Sequence, residues 1–256
     1  MNALWLKKAY NTLNEIYVKR LVQKKNNLEK YYKLEEFCKN KHRCFVIGNG
    51  PSLNAGDLDK LKGEFTFVCN RFFNIYDGWQ PTVYCCQDPT VMKNNLQQID
   101  AYQADFKLLN PHLRIKGSAC RDAILYYVKR SPYFNGKPPY MATEFEQGLC
   151  DGYTVTFSML QLAVLLGLKE IYLLGVDFNY VVKDGKIDES SYPKGAAKTG
   201  GGGLPNLNYN LQAYTAAAEF CQAHGIKLVN ASRQTKLEAI PRADLDEILS
   251  PTVALH

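Results

Sequence analysis

Five polar residues stand where short apolar runs end: Asn49, Asn70, Asp88, Asp177 and Asn230. The first belongs to Gly48-Asn49-Gly50, followed by Pro51 and Ser52. Glycine lets a backbone approach an anion, and free N–H groups at the opening of a helix would face a phosphate. No Gly-Lys-Ser/Thr follows, so this is not a Walker loop, and a tight structural turn reads equally well. Asn70 offers both amide groups to a base or sugar, or caps the next turn. Asp88 and Asp177 can grip ribose hydroxyls or share Mg²⁺, or cap helices. No Asp-x-Asp stands at these strand ends to support a metal–nucleotide clamp. Asp151-Gly152-Tyr153-Thr154-Val155-Thr156 precedes an apolar run, where Gly152 and the Thr154 and Thr156 hydroxyls suit an anion at a helix start. Ordinary capping is the alternative. Gly175, just before Asp177, leaves another strand end open to a ligand. Of the four histidines, His112 alone falls near a strand end, and no metal-ligand or Ser/His/Asp spacing is present. The expected metal set is therefore none.

The elements that position these residues alternate. Apolar strands are expected at 43–47, 65–69, 82–86, 106–109, 169–174 and 226–230. Helices are expected at 154–166, stopped by Gly167, and at 211–224, stopped by Gly225. This rhythm predicts an α/β, Rossmann-like, mainly parallel sheet flanked by helices, with sites at the carboxyl ends of strands. The stretch 115–148 gives no clear elements. Residues 181–208 are nearly devoid of apolar content and hold Lys194, Lys198 and four consecutive glycines. They read as a mobile lid carrying phosphate-binding lysines, or as a plain insertion.

At 256 residues, 46% hydrophobic and 22% charged, the chain can bury a sizeable core, which excludes a disordered or collagen-like protein. Eight cysteines without a C-x-x-C read as reduced, mostly buried thiols of a cytoplasmic protein. Residues 1–43 carry 11 Lys/Arg against 4 Asp/Glu, a net of +7, and the remainder carries 20 against 21. The basic charge thus belongs to an N-terminal segment and not to the body, which argues against a nucleic-acid partner. That segment lacks Gly and Pro and repeats Leu6, Tyr10, Leu13, Tyr17 and Leu21 at helical steps. A basic helical extension over 1–41 is expected before a nucleotide-binding domain over 42–256. The extension lies on an anionic inner-membrane surface, builds a homo-oligomer through residues 1–40, or rests on its own domain.

Taken together, VIGNGPSL at 46–53, CNRF at 69–72 and GLKEIYLLGVDF at 167–178 resemble the bacterial lipooligosaccharide sialyltransferases of glycosyltransferase family 42. The chain is also similar to the 6-hydroxymethylpterin diphosphokinase-like domain family of polysaccharide gene clusters. The strings for that relative are GYTVT at 152–156, GVDFNY at 175–180 and GIKLVNAS at 225–232, then Lys236-Leu-Glu and Ile240-Pro-Arg. The resemblance runs in order from about 44 to 248. It implies a nucleotide-sugar donor, a CMP-sugar being favoured, lying across the strand ends, and a glycan or lipid-linked acceptor. Carried over by position, Gly48, Asn49, Gly50 and Ser52 would line the donor phosphate. Asn70 would contact nucleotide or sugar, and Gly175 and Asp177 would hold base and ribose. Gly152, Thr154 and Thr156 fall where the sialyltransferases present their own turn and hydroxyl.

Three departures stand out. Asp88 replaces an Asn, no Arg lies near Gly152, and Tyr209 occupies the place of the general-base His. A phenol is a weak base at neutral pH. The base would then be Tyr209 itself, Asp88, Asp177 or His112. The pterin-type relative implies instead Mg²⁺-dependent pyrophosphate transfer from ATP. A nucleotide-binding protein without catalysis is the third reading. The leading expectation is a glycosyltransferase of surface-polysaccharide assembly.

Overall fold

The computed structural model describes residues 3–76, 78–111, 121–129, 136–184, 186–188, 191 and 206–250, with backbone alone for 3–8, 186 and 187. Two helices lead, α1 (Ala3–Val22) and α2 (Lys25–Cys38). Strand β1 (Arg43–Ile47) and short helix α3 (Ala55–Asp59) follow, then β2 (Phe65–Cys69) and a 3₁₀ turn at Asn70–Asn74. Next come β3 (Val83–Cys86), α4 (Pro89–Asn94), α5 (Leu96–Ala101), β4 (Phe106–Leu109) and β5 (Ile124–Leu125). The stretch that gave no clear sequence signal supplies β5, β6 (Val128–Lys129) and β7 (Leu149–Cys150), each only two residues long. The chain continues through α6 (Val155–Leu165), β8 (Glu170–Leu174) and the hairpin β9 (Val182–Lys183) and β10 (Lys186–Ile187). It then forms α7 (Leu207–Ala223), β11 (Lys227–Asn230) and α8 (Leu245–Leu249).

Seven strands form one parallel sheet in the order β11-β8-β1-β2-β3-β4-β5. All five residues of β2 and all four of β3 are buried, because helices cover both faces. Successive side chains alternate between two cores. Cys44, Val46, Phe67, Cys85 and Leu173 face α6 and α7. Phe45, Ile47, Val68, Tyr84 and Leu174 face Leu58, Val91, Met92 and Leu245. The expected α/β, mainly parallel architecture is therefore the observed one. Helix α6 is buried nearly all round, and the Gln161 amide inside it ties down the approach to the site. Its oxygen accepts from the N–H of Ala142 and Cys150, and its nitrogen donates to the Cys150 carbonyl.

The N-terminal helices lie on the body. Val18, Val22, Tyr31, Leu34 and Cys38 share a core with the strands, and Tyr31 stacks on Phe145 at 3.7 Å. The Asn27 side chain completes the sheet edge like a strand residue. It donates to the Leu125 carbonyl at 2.9 Å and accepts from the Leu125 N–H at 2.7 Å. The expected apolar stripe needs correction, since Leu13 is 61% exposed while Val18 and Val22, one turn apart, make the contact. Of the cysteines, Cys38, Cys44, Cys69, Cys85, Cys86, Cys150 and Cys221 are free and buried. Burial raises every one of these thiols above the ordinary range, as an apolar surrounding disfavours the thiolate.

Candidate functional site

The chain builds outward from β1 to β5, then returns to place β8 on the other side of β1. The crevice above the carboxyl ends of β1 and β8 is the topological switch point, where open α/β sheets bind ligands. A cleft of about 320 Å³ opens there. Its lining includes Gly48, Asn49 and Gly50 after β1, Asn70 after β2, Gln87 and Asp88 after β3, and Gly175 and Asp177 after β8. Thr154 and Thr156 at the start of α6 close it, with Asn210 and Tyr214 from α7. The sheet thus collects residues from 48 to 214 that the sequence scatters.

The two glycines of the 48–50 turn do not present free N–H groups. Gly48 donates to the Leu174 carbonyl and Gly50 to the Gly175 carbonyl, both at 2.8 Å. A Cβ on Gly48 would sit 2.6 Å from the Gly175 oxygen. Glycine is required here because two loops press together, so these two N–H groups of the expected cradle are taken by carbonyls. Asn49 projects from the seam between those loops. Its amide nitrogen donates to the Cys69 carbonyl at 3.2 Å, while its Oδ1 is buried without a partner among the described residues.

Asp177 is 6% exposed, and Ser52 engages its carboxylate through both its N–H, at 2.7 Å, and its hydroxyl. Burial pushes this carboxyl up, and the Ser52 bonds pull it partly back. Asp177 and Ser52 therefore lock the 50–53 turn onto the loop after β8. Asp88 caps α4, its Oδ1 accepting from the N–H of Thr90 at 2.8 Å and Val91 at 3.4 Å. Asn70 has a left-handed backbone, φ 51°, and its Oδ1 accepts from the Gln87 N–H at 3.4 Å. The Gln87 side chain in turn accepts from the Ser158 hydroxyl at 2.6 Å. Asn230 lies outside the cleft, fully buried, bridging the Val176 carbonyl and the Thr235 hydroxyl.

At the α6 end, Thr154 caps the helix by accepting from the Thr156 N–H at 3.3 Å. A Cβ on Gly152 would strike Phe157 at 2.5 Å and Ala213 at 2.8 Å, so this glycine seats α6 against α7. Burial pushes the Tyr214 hydroxyl up to about 12, with Thr156 and Thr154 as its partners. Tyr153 (φ 60°) and Phe178 (φ 50°) both line the cleft in left-handed conformations that bulky side chains rarely adopt, a form of strain concentrated at functional sites.

Tyr209 is displaced from its expected place before a helix. Asn206 accepts from the Tyr209 N–H at 3.0 Å and so starts α7 at Leu207, four residues earlier than the apolar pattern indicates. Tyr209 thereby enters the first turn, 2% exposed, packed edge-on against Tyr153 and reaching toward the Lys137 carbonyl. It does not line the cleft. Tyr209→Phe is accordingly expected to leave ligand affinity within about twofold, with a stability loss near 1 kcal/mol at most, measurable by calorimetric titration and thermal melting.

His112, Lys194 and Lys198 lie outside the described residues, as does most of the segment expected to form a lid. Its described part is the β9–β10 hairpin region, residues 206–208 at the start of α7, and Ser191, which borders the cleft and accepts from the Val181 N–H at 2.9 Å. No group of three His, Cys, Asp or Glu able to hold a metal occurs among the described residues. Sequence reasoning missed Gln87, Tyr153, Asn210 and Tyr214. Their signal was adjacency to Asp88 and Thr154, and, for the last pair, the four-residue step along one face of α7.

The fold has counterparts among solved structures. Over 81% of this chain and 82% of the other, it is similar to the monofunctional alpha-2,3-sialyltransferase Cst-I from Campylobacter jejuni, with 20% identity and a TM-score of 0.52. The sialyltransferase CstII from the same organism, solved with the substrate analogue CMP-3FNeuAc, matches at 19% identity and a TM-score of 0.46. That match covers 79% of this chain and 86% of that one. No curated protein matches. Residues 18–183 match the model of the family described as 6-hydroxymethylpterin diphosphokinase MptE-like. A match over more than half its length means that the chain belongs to the MptE-like family.

Proposed function

We propose that the cleft binds a nucleotide-activated donor and that the protein transfers the activated group, a sugar, to an acceptor hydroxyl. The observation that carries this reading is the orphaned Oδ1 of Asn49. A buried acceptor without a protein partner costs stability until a ligand N–H or O–H, or an ordered water, reaches it. A nucleoside offers such donors on its ribose and base. Across the cleft, the amino end of the 11-residue helix α6, with its two threonines, suits one phosphate without needing a cation. The strings shared with glycosyltransferase family 42 support a sugar, with CMP as the favoured leaving group.

In that reading the acceptor hydroxyl attacks the anomeric carbon and the nucleotide phosphate departs toward the amino end of α6 and the Tyr214 hydroxyl. With Tyr209 outside the cleft and Asp177 held by Ser52, Asp88, which lines the cleft, is the described carboxylate we assign to take the acceptor proton. Asp88→Asn keeps the capping oxygen, so the fold and nucleotide affinity should persist. Transfer should fall roughly 100-fold or more, the usual contribution of a general base. Undiminished transfer would remove Asp88 from the role.

The family description favours a second reading, pyrophosphate transfer from ATP with Mg²⁺. A thermal-shift series with CMP, CDP, UDP, ADP and ATP, with and without Mg²⁺, separates the two, because a ligand that binds only the folded state raises the melting temperature. Stabilisation by CMP or CDP without metal is expected. Stabilisation by ATP alone, and only with Mg²⁺, would replace the sugar-transfer reading with the second one.

A further inference from the structure

Among the described residues, the buried side chains of helix α1 lie on one side of it. Val18 and Val22 are buried, Tyr17 packs beside them, and Glu15 accepts from the Tyr127 hydroxyl. On the far side Leu13 and Ile16, one turn apart, are 61% and 45% exposed. Ala9 continues that apolar series toward the N-terminus at a helical step. Lys19, Arg20 and Lys24 follow it, all exposed, and the side chains of Lys19 and Arg20 make no ion pair among the described residues. Leucine and isoleucine exposed beside cations give this side of the helix an amphipathic character suited to an interface.

Charge says which partner. The first 43 residues carry a net +7 and the rest of the chain −1. A second copy of this helix would bring like charge against like charge, whereas an anionic surface is complementary. None of the described helices is long and apolar enough to cross a membrane, so contact would be in the interface plane. We propose that α1 docks flat on an anionic lipid bilayer, Leu13 and Ile16 entering the acyl boundary while Lys19 and Arg20 meet headgroup phosphates. The cleft-lining residues all come from elements other than α1, so the docking face and the cleft share no residue. This inference stands independently of what the cleft binds.

The test is co-sedimentation of the full chain with phosphatidylglycerol vesicles and with phosphatidylcholine vesicles. Binding is expected to the first and not the second, falling steeply as salt rises from about 0.05 to 0.5 M. Leu13→Glu/Ile16→Glu should cut the bound fraction at equal lipid, and Lys19→Glu/Arg20→Glu should weaken the association constant more than roughly tenfold. All four side chains are exposed, so thermal melts should stay close to those of the parent and separate lost docking from lost fold. Equal binding to both lipids, or binding to neither, would overturn the proposal. So would a dimer, seen by light scattering without lipid, that Leu13→Glu/Ile16→Glu dissociates.

Discussion

Asn49→Ala is expected to weaken CMP binding roughly tenfold while moving stability by no more than about 1 kcal/mol, because two effects of similar size oppose each other in the free protein. The substitution removes the bond from the Asn49 amide nitrogen to the Cys69 carbonyl, which destabilises. It also removes a buried acceptor that has no partner among the described residues, which stabilises. With a nucleotide bound, that acceptor gains a donor in the parent protein and cannot in the variant, so only affinity suffers. Asn49→Asp makes the contrast sharper. It keeps an acceptor but turns a second oxygen toward the Cys69 carbonyl, so both stability and affinity should fall. Titration calorimetry of the three proteins, alongside their melting curves, measures both quantities. An unchanged affinity in Asn49→Ala, with CMP bound by the parent, would mean that this oxygen does not face the ligand.

Gly50→Ala should be among the most damaging single-methyl additions in the chain. A Cβ there lies 2.6 Å from the Asp177 Cγ, 2.6 Å from the Gly175 oxygen and 2.7 Å from the Asp177 Oδ1. Two of those atoms belong to a carboxylate held by Ser52 and the third to backbone, so none can swing aside cheaply. Relief requires the loops after β1 and β8 to part. A loss of about 2–3 kcal/mol is expected, lowering the melting temperature by on the order of 5–10 °C. Nucleotide affinity should be lost with it, since the parted loops are the two sides of the cleft. Gly63→Ala is the control. It has φ +89° and nothing within 4 Å, so only backbone strain of about 1 kcal/mol opposes it. Similar damage from both would show that glycine flexibility, and not the seam, is what matters at Gly50.

Several features were legible in the residues because they depend on local chemistry. The continuous apolar runs at 43–47, 65–69 and 170–174 can only be strands covered on both faces, and their polar ends mark where a site must lie. Gly167 and Gly225, with φ +81° and +64°, stop their helices where the turn chemistry indicates. The start of α7 was misjudged because Asn206 caps a turn whose first residues include polar side chains, invisible to an apolar pattern. The face of α1 was misjudged for a related reason. Its apolar residues go nearly all round, and the choice of Val18 and Val22 over Leu13 depends on what the neighbouring elements present.

By itself, the sequence determined the parallel sheet, the strand-end location of the site, the basic character of the N-terminal helix and the kinship of its motifs, all carried by periodicity, turn chemistry and short strings. Tertiary structure alone decided what each candidate does there. It occupied the glycine N–H groups with carbonyls from another loop and tied Asp177 to Ser52. It buried Tyr209 beneath Tyr153, and left Asn49 with an oxygen that has no partner among the described residues. Residue type sets which hydrogen bonds a side chain can make, but residues from distant parts of the chain, brought within 3 Å by the fold, settle which ones remain for a ligand.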